Sequence, residues 1–280
     1  MEENLIKYKT KRKLNSGMMS VAYLLDEEYI QLVGKREDAF DAYKDMKDNA
    51  DLLDGKITCV DYPHNMILIA PNSEYPYGSL IYPIVKGDPL KIDKLNDNQL
   101  LEVARKLVEF NKQMHSADIH WDREWAINHE LEKVNKNITL LKDYLADSDI
   151  EILNKYAVSF ANYLYSKKSF CITHGDLWAD NLIVDEAGNL TGIIDFGNMA
   201  YFLPEVDYAS VWDMCDGFLD KMCEFTDENI TKESVYLFVM HRELCSFEYV
   251  LSADNDEVNT QLDKIKQALE LIKPIVSEDK

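Results

Sequence analysis

The chain has 280 residues, of which 46% are hydrophobic and 29% charged, a composition that excludes disordered and fibrous classes and provides apolar material for two lobes with separate cores. Acidic residues number 51 against 30 basic ones, so the net charge is −21 and the average surface repels a phosphate backbone; nucleic acid is not an expected partner, whereas a cationic small molecule is drawn by the same field. Five scattered cysteines (Cys59, Cys171, Cys215, Cys223, Cys245) form no CxxC pair, and no stretch approaches about 18 consecutive apolar residues, so the expectation is a cytoplasmic monomer with no disulfide framework and no membrane span.

In chain order, short β-rich runs at 21–25, 29–33, 57–61, 66–70 and 79–85 alternate with turn signals, and a helix is expected over 38–53, where Phe40, Met46, Ala50 and Leu53 recur at roughly helical spacing. This predicts an antiparallel sheet with one helix across it. After Gly87-Asp88-Pro89 the pattern becomes helical, with Asp97 able to cap a segment carrying the apolar stripe Leu100, Ala104, Leu107, Val108 and Met114. Helices over about 128–145 and 148–165 follow, then short strands at 170–173, 182–184 and 190–194, and helices again beyond Pro204. The reading is an α+β chain of two lobes, 1–85 and 86–280, with a hinge near 83–88.

The most informative stretch is CITHGDLWADNLIVDEAGNLTGIIDFG, residues 171–197. An acid leaves one strand, an amide follows five residues later, and a second acid ends the next hairpin. Phosphoryl transfer needs a positioned hydroxyl, an acceptor for its proton, and phosphate charge neutralised by magnesium on hard oxygen ligands. Asp176, Asn181 and Asp195 supply those parts. Other chemistries lack their motifs: there is no GxxxxGK[ST], no GxGxxG opening a helix, and His115 with His120 does not make HExxH.

His174-Gly175-Asp176 with Asn181, followed by Asp195-Phe196-Gly197, resembles the catalytic loop and metal motif of the protein-kinase-like superfamily, in particular its aminoglycoside phosphotransferase and choline kinase branch. The resemblance covers about residues 12–215 and implies a two-lobed protein-kinase-like fold, with a small antiparallel-sheet N-lobe for nucleotide binding and a larger, mainly helical C-lobe. It implies a kinase using Mg2+ and ATP or GTP, with Asp176 as base, Asn181 and Asp195 as metal ligands, and His174 orienting the loop. LNSGMMSVAYL (14–24), with Gly17 and Ser20, is similar to the family's phosphate-covering loop, and Pro83, Ile84 and Val85 to its hinge, where backbone meets the base edge. His115 is expected to be a hydrogen-bonded core residue, and Asp207 to cap the helix after the magnesium loop.

The family's phosphate-gripping lysine aligns with Leu32, and a shifted register makes Lys35 the substitute, paired with Asp45, Asp48 or Asp51 on the helix. The acceptor expected from the resemblance is an aminoglycoside-like molecule, with a role in antibiotic resistance; the alternatives are choline, fructosamine or another sugar or amino-alcohol, or a catalytically weak kinase-like binding protein. Asp213, Asp216, Asp220, Glu243, Glu248 and Asp254 offer carboxylates for a cationic acceptor, and Trp178, Trp212 and Tyr249 offer aromatic faces, with Trp178 nearest the catalytic loop and Trp212 read as core.

Overall fold

The computed structural model describes residues 7–17, 19–253 and 257–277. The chain divides into two compact units, one formed by residues up to Leu90 together with Asp180–Met199, the other by Lys91–Ala179 together with residues from Ala200 on.

In the first unit, β1 (Lys11–Ser16), β2 (Ser20–Leu25), β3 (Tyr29–Gly34), β4 (Ile67–Ile69) and β5 (Ser79–Pro83) form an antiparallel sheet in the order β1-β2-β3-β5-β4. Strand alternation sends Ile30, Leu32, Leu68, Leu80 and Tyr82 to one face, where α1 (Ala39–Leu52) contributes Ala39, Tyr43 and Ala50. Tyr29, Val33, Ile67, Ile69 and Ile81 turn to the other face with Leu25 and Tyr75. Gln31 is fully buried and donates to Ser79 Oγ at 3.0 Å while accepting from Lys11, so this buried mid-strand amide is satisfied. The expected strand at 57–61 does not form. Ile57 and Val60 are buried, and only Asp61 pairs, through Asp61 N to Thr191 O and Ile193 N to Asp61 O.

The same unit contains a three-stranded sheet, β6 (Asp88–Pro89), β8 (Leu182–Val184) and β9 (Leu190–Ile193), in the order β6-β8-β9. Gly192 is required there: a Cβ on it would lie 2.2 Å from Val85 Cγ1.

In the second unit, α2 (Asp97–His115) is capped by Asn96 and not by Asp97. Asn96 accepts from the Asn98 and Gln99 N–H groups, and Gln99 Oε1 accepts from Asn96 N, a reciprocal capping box that leaves Asp97 as the first helical residue. α3 (Arg123–Leu141) begins five residues before the expected 128, because Asp122 caps it through Trp125 N at 3.0 Å. After α4 (Asp147–Ser166), β7 (Cys171–Thr173) pairs with β10 (Ala200–Phe202), a strand the sequence pattern did not announce. α5 (Glu205–Ala209), α6 (Phe218–Phe225), α7 (Lys232–Ala253) and α8 (Val258–Ser277) complete the unit. α7 packs against α3, α5 and α8 and buries Val235, Phe238, Met240, Leu244 and Phe247, so it is apolar around most of its circumference. No helix among the described residues is long and apolar enough to cross a membrane.

Candidate active site

The turn of the β8–β9 hairpin is closed at its far end by Asp185, whose Oδ1 accepts from Ala187 N and Asn189 N, with Gly188 in the left-handed region at φ 82°. The opposite end carries the two proposed metal ligands. Asn181 immediately precedes β8 and Asp195 follows β9 by two residues; Leu182 pairs with Ile193, and Ile194 N donates to Asn181 O at 3.0 Å. An amide oxygen and a carboxylate are thus brought to one end of one hairpin, and both are hard donors of the kind magnesium takes.

Asp195 is held at φ 68°, which a non-glycine residue adopts at a cost, and its Oδ1 accepts from Gly197 N at 3.3 Å. The next carbonyl, that of Phe196, accepts a 2.9 Å bond from the buried Asn49 amide of α1. Phe196 is itself fully buried, with its ring 5.7 Å from that of Tyr62. Asn49 carries no motif signal in the sequence beyond being the amide among the α1 acids Asp45, Asp48 and Asp51.

His174 and Asp176 lie in the second unit, directly after β7. The His174 side chain is buried and Asp176 N donates to its Nδ1 at 3.3 Å. Gly175 adopts φ 79°, a conformation in which a side chain would be strained. The main constraint on the loop is Asp207. Its Oδ2 accepts from His174 N at 3.0 Å and its Oδ1 from Gly175 N at 2.7 Å, a two-pronged grip on successive amides. Asp207 therefore does not cap α5: it is the third residue of that helix, Pro204 holds the cap position, and the carboxylate turns inward.

Behind Asp207, His115 Nε2 lies 3.0 Å from Asp207 Oδ2 and His115 Nδ1 lies 2.7 Å from Glu228 Oε1, while Tyr208 donates to Glu228 Oε2 at 3.0 Å. Burial alone would lower the His115 pKa, but hydrogen bonds to Asp207 and Glu228 and their charges outweigh it and raise it to about 9. His115 is the core histidine expected, and the chain α2–α5–Glu228 that it closes was not visible from spacing.

Lys35 sits just beyond β3. Its Nζ donates to Gly17 O at 2.7 Å and lies 3.5 Å from Ser16 Oγ, so the lysine reaches the β1–β2 turn. Ser20 begins β2 opposite Gly34, and Lys35 N donates to Met19 O, which ties the same turn to the strand end. Leu32, the other position considered, packs with Tyr43 and Tyr82. Of the helical acids, Asp48 pairs with Lys44 at 2.5 Å and Asp51 pairs with Lys47, while Asp45 is exposed. In the hinge segment Pro83 ends β5 opposite Tyr29, Ile84 N donates to Glu28 O at 2.8 Å, and Val85 is buried.

Trp178 stands 45% exposed in the loop after Asp176, and Tyr249 is exposed on α7. Asp213 pairs with Lys264 at 2.6 Å, Glu248 with Lys136 at 2.6 Å, and Asp220 with Lys232; Asp216 is exposed. Glu243 is interior: it accepts from Trp212 Nε1 at 3.0 Å, from Arg242 at 2.8 Å and from Gln261 at 2.8 Å, a packing role that removes it from the set of acceptor-facing acids. Trp212, expected in the core, is half-buried with its indole N–H spent on that carboxylate. Asp254 lies outside the described residues.

A family model described as the phosphotransferase enzyme family matches residues 14–224. Among solved structures, the chain is similar to the GDP complex of wild-type aminoglycoside 2'-phosphotransferase-IIIa, with a TM-score of 0.78 and 20% identity over 95% of this chain and 94% of that one. It is similar also to the streptomycin–ATP–APH(2")-IIa ternary complex, with a TM-score of 0.71 and 20% identity over 95% and 92%. Macrolide 2'-phosphotransferase type I matches with a TM-score of 0.65 and 11% identity over 92% of each chain. The likeness to these structures establishes the two-lobed protein-kinase-like fold.

Proposed function

The chain belongs to the phosphotransferase enzyme family, and on that premise we propose that it transfers the γ-phosphate of ATP or GTP to a hydroxyl of a cationic, aminoglycoside-like acceptor, acting as a cytoplasmic monomer. The observation that carries this reading is the end of the β8–β9 hairpin, where Asn181 and Asp195 flank one hydrogen bond, Ile194 N to Asn181 O.

In this reading the Asp176 carboxylate orients the acceptor hydroxyl and takes its proton as the new oxygen–phosphorus bond forms and the nucleoside diphosphate leaves. Asn181 and Asp195 hold magnesium, which when bound supplies charge neutralisation to the phosphates. Gly17 and Ser20 cover the phosphates, and Lys35, already bonded to the Gly17 carbonyl, approaches them by exchanging that partner. The base edge is met by the backbone of 83–85; because Pro83 has no N–H and Ile84 spends its own on Glu28, Val85 is the donor proposed. The net charge of −21 favours an acceptor carrying ammonium groups, for which Trp178 offers an exposed face and Asp213 and Glu248 offer carboxylates that exchange their lysines.

A panel measuring nucleoside diphosphate release with aminoglycosides, macrolides, choline and sugars tests the acceptor: turnover with aminoglycosides is expected, and turnover confined to another group would transfer the assignment to it. Asp176→Ala is expected to abolish turnover and leave nucleotide binding nearly intact; retained turnover would remove Asp176 as the base. One observation favours a second reading, a kinase-like binding protein of weak activity: Leu32 occupies mid-strand in a packed core, and Lys35 is engaged by a carbonyl. Absence of both turnover and magnesium-dependent nucleotide binding would select that reading.

A further inference from the structure

Three side chains from two helices distant in sequence converge inside the second unit, and none of them takes part in the proposed phosphoryl transfer. Glu130 Oε2 lies 2.8 Å from His241 Nε2, Cys245 Sγ lies 3.5 Å from the same Nε2, and the three atoms are all within 4.8 Å of one another. Glu130 belongs to α3, while His241 and Cys245 stand four residues apart on one face of α7. We propose that Glu130, His241 and Cys245 form a binding site for a single zinc ion.

The convergence is the first argument. A carboxylate oxygen and a sulfur both approach the one ring nitrogen Nε2 here, which gathers an oxygen, a nitrogen and a sulfur of the kinds that zinc takes as ligands. Zinc–nitrogen and zinc–sulfur bonds of about 2.0 and 2.3 Å at a tetrahedral angle place nitrogen and sulfur about 3.5 Å apart, and the observed separation is 3.5 Å. The carboxylate oxygen has to withdraw from Nε2, and its other oxygen is already held from outside by Lys133 at 2.9 Å.

Charge is the second argument. The His241 ring is stacked on Phe160 at 5.2 Å and has Phe202 at 5.6 Å and Phe238 at 6.3 Å, an apolar shell in which net charge is costly. A doubly charged ion with one carboxylate, one thiolate and one neutral imidazole sums to zero. A route from solvent exists on the Glu130 side, where Lys133 is 41% exposed and Glu130 14% exposed, and the fourth coordination position falls to water.

Cobalt(II) serves as the spectroscopic probe for the full-length chain. The expected result is a one-to-one thiolate-to-cobalt charge-transfer band that zinc displaces, that disappears in Cys245→Ser, and that persists in Cys223→Ser. Absence of the band, or its loss in Cys223→Ser in place of Cys245→Ser, would overturn the proposal. As a measurement needing no variant, zinc is expected to protect Cys245 from alkylation by iodoacetamide, read by peptide mass; equal alkylation with and without zinc would overturn it as well. Phosphoryl transfer does not enter either readout, so the site stands or falls independently of the proposed function.

Discussion

The two units restrain the loops that carry Asp195 and Asp176 by different means. In the first, the loop carrying Asp195 is held by single hydrogen bonds, the neutral one from the Asn49 amide to the Phe196 carbonyl and one from Gly197 N to Asp195. In the second, the loop carrying Asp176 is anchored by a buried charged chain, Glu228–His115–Asp207, ending in two hydrogen bonds to His174 N and Gly175 N. A neutral bond contributes about 1 kcal/mol net, whereas breaking a buried charged set by removing one member costs about 3–5 kcal/mol. The difference implies that the loop proposed to carry the base is expensive to displace and that the loop proposed to hold the metal is cheap to rearrange.

Asp207→Ala is the sharpest way to break this comparison. It strips two amides of their acceptor and leaves His115 with one carboxylate, so a loss of about 3–5 kcal/mol is expected in the urea unfolding midpoint, with kcat falling and the KM for nucleotide little changed. A nucleotide KM that moved as far as kcat would mean that the two loops are not separately restrained.

His115→Gln tests the charge itself. Because the folded His115 pKa is raised from 6.5 to about 9, the protonated ring stabilises the fold fully below pH 6.5, and that contribution is lost as pH rises through about 9. The stability gap between wild type and variant is therefore expected to be widest at pH 6 and to narrow by pH 9.5, measured by urea titration at each pH. A pH-independent gap would mean that packing, not charge, holds the loop.

Asn49→Ala should cost less, about 1–2 kcal/mol, since it removes one neutral bond and leaves the Phe196 carbonyl buried. Its functional signature should be a raised KM for magnesium-nucleotide with kcat nearly kept. Smallest of all is Gly17→Ala: a Cβ there would meet nothing closer than Ser20 O at 3.9 Å, so thermal unfolding is expected to be unchanged. A rise in nucleotide KM in this variant would locate the phosphates against the Gly17 backbone.

Much of this molecule is written locally. The strands at 21–25 and 29–33 and the helix at 38–53 appear within a residue or two of their expected bounds, because alternation and helical spacing act over a few neighbours. The spacing of Asp176, Asn181 and Asp195 was legible for the same reason: a strand end, a short loop and a hairpin are contiguous in sequence. By contrast, 57–61 reads as a strand by composition but has a partner only at Asp61, and α7 carries no single apolar stripe because it is covered on most sides.

What the sequence by itself determined was the family chemistry, the alternation of elements and the identity of the loop residues, all of which depend on short-range geometry. Only the tertiary structure decided what each side chain is spent on. Asp207 reads as a helix cap and is instead a grip on His174 and Gly175; Glu243 reads as a surface acid and is an interior acceptor; Glu130 and His241, 111 residues apart, share one short contact. A carboxylate has the same local signature whether it faces water or a buried donor. Its role is set by which partners folding brings within hydrogen-bond reach, and that information lies in packing between distant segments.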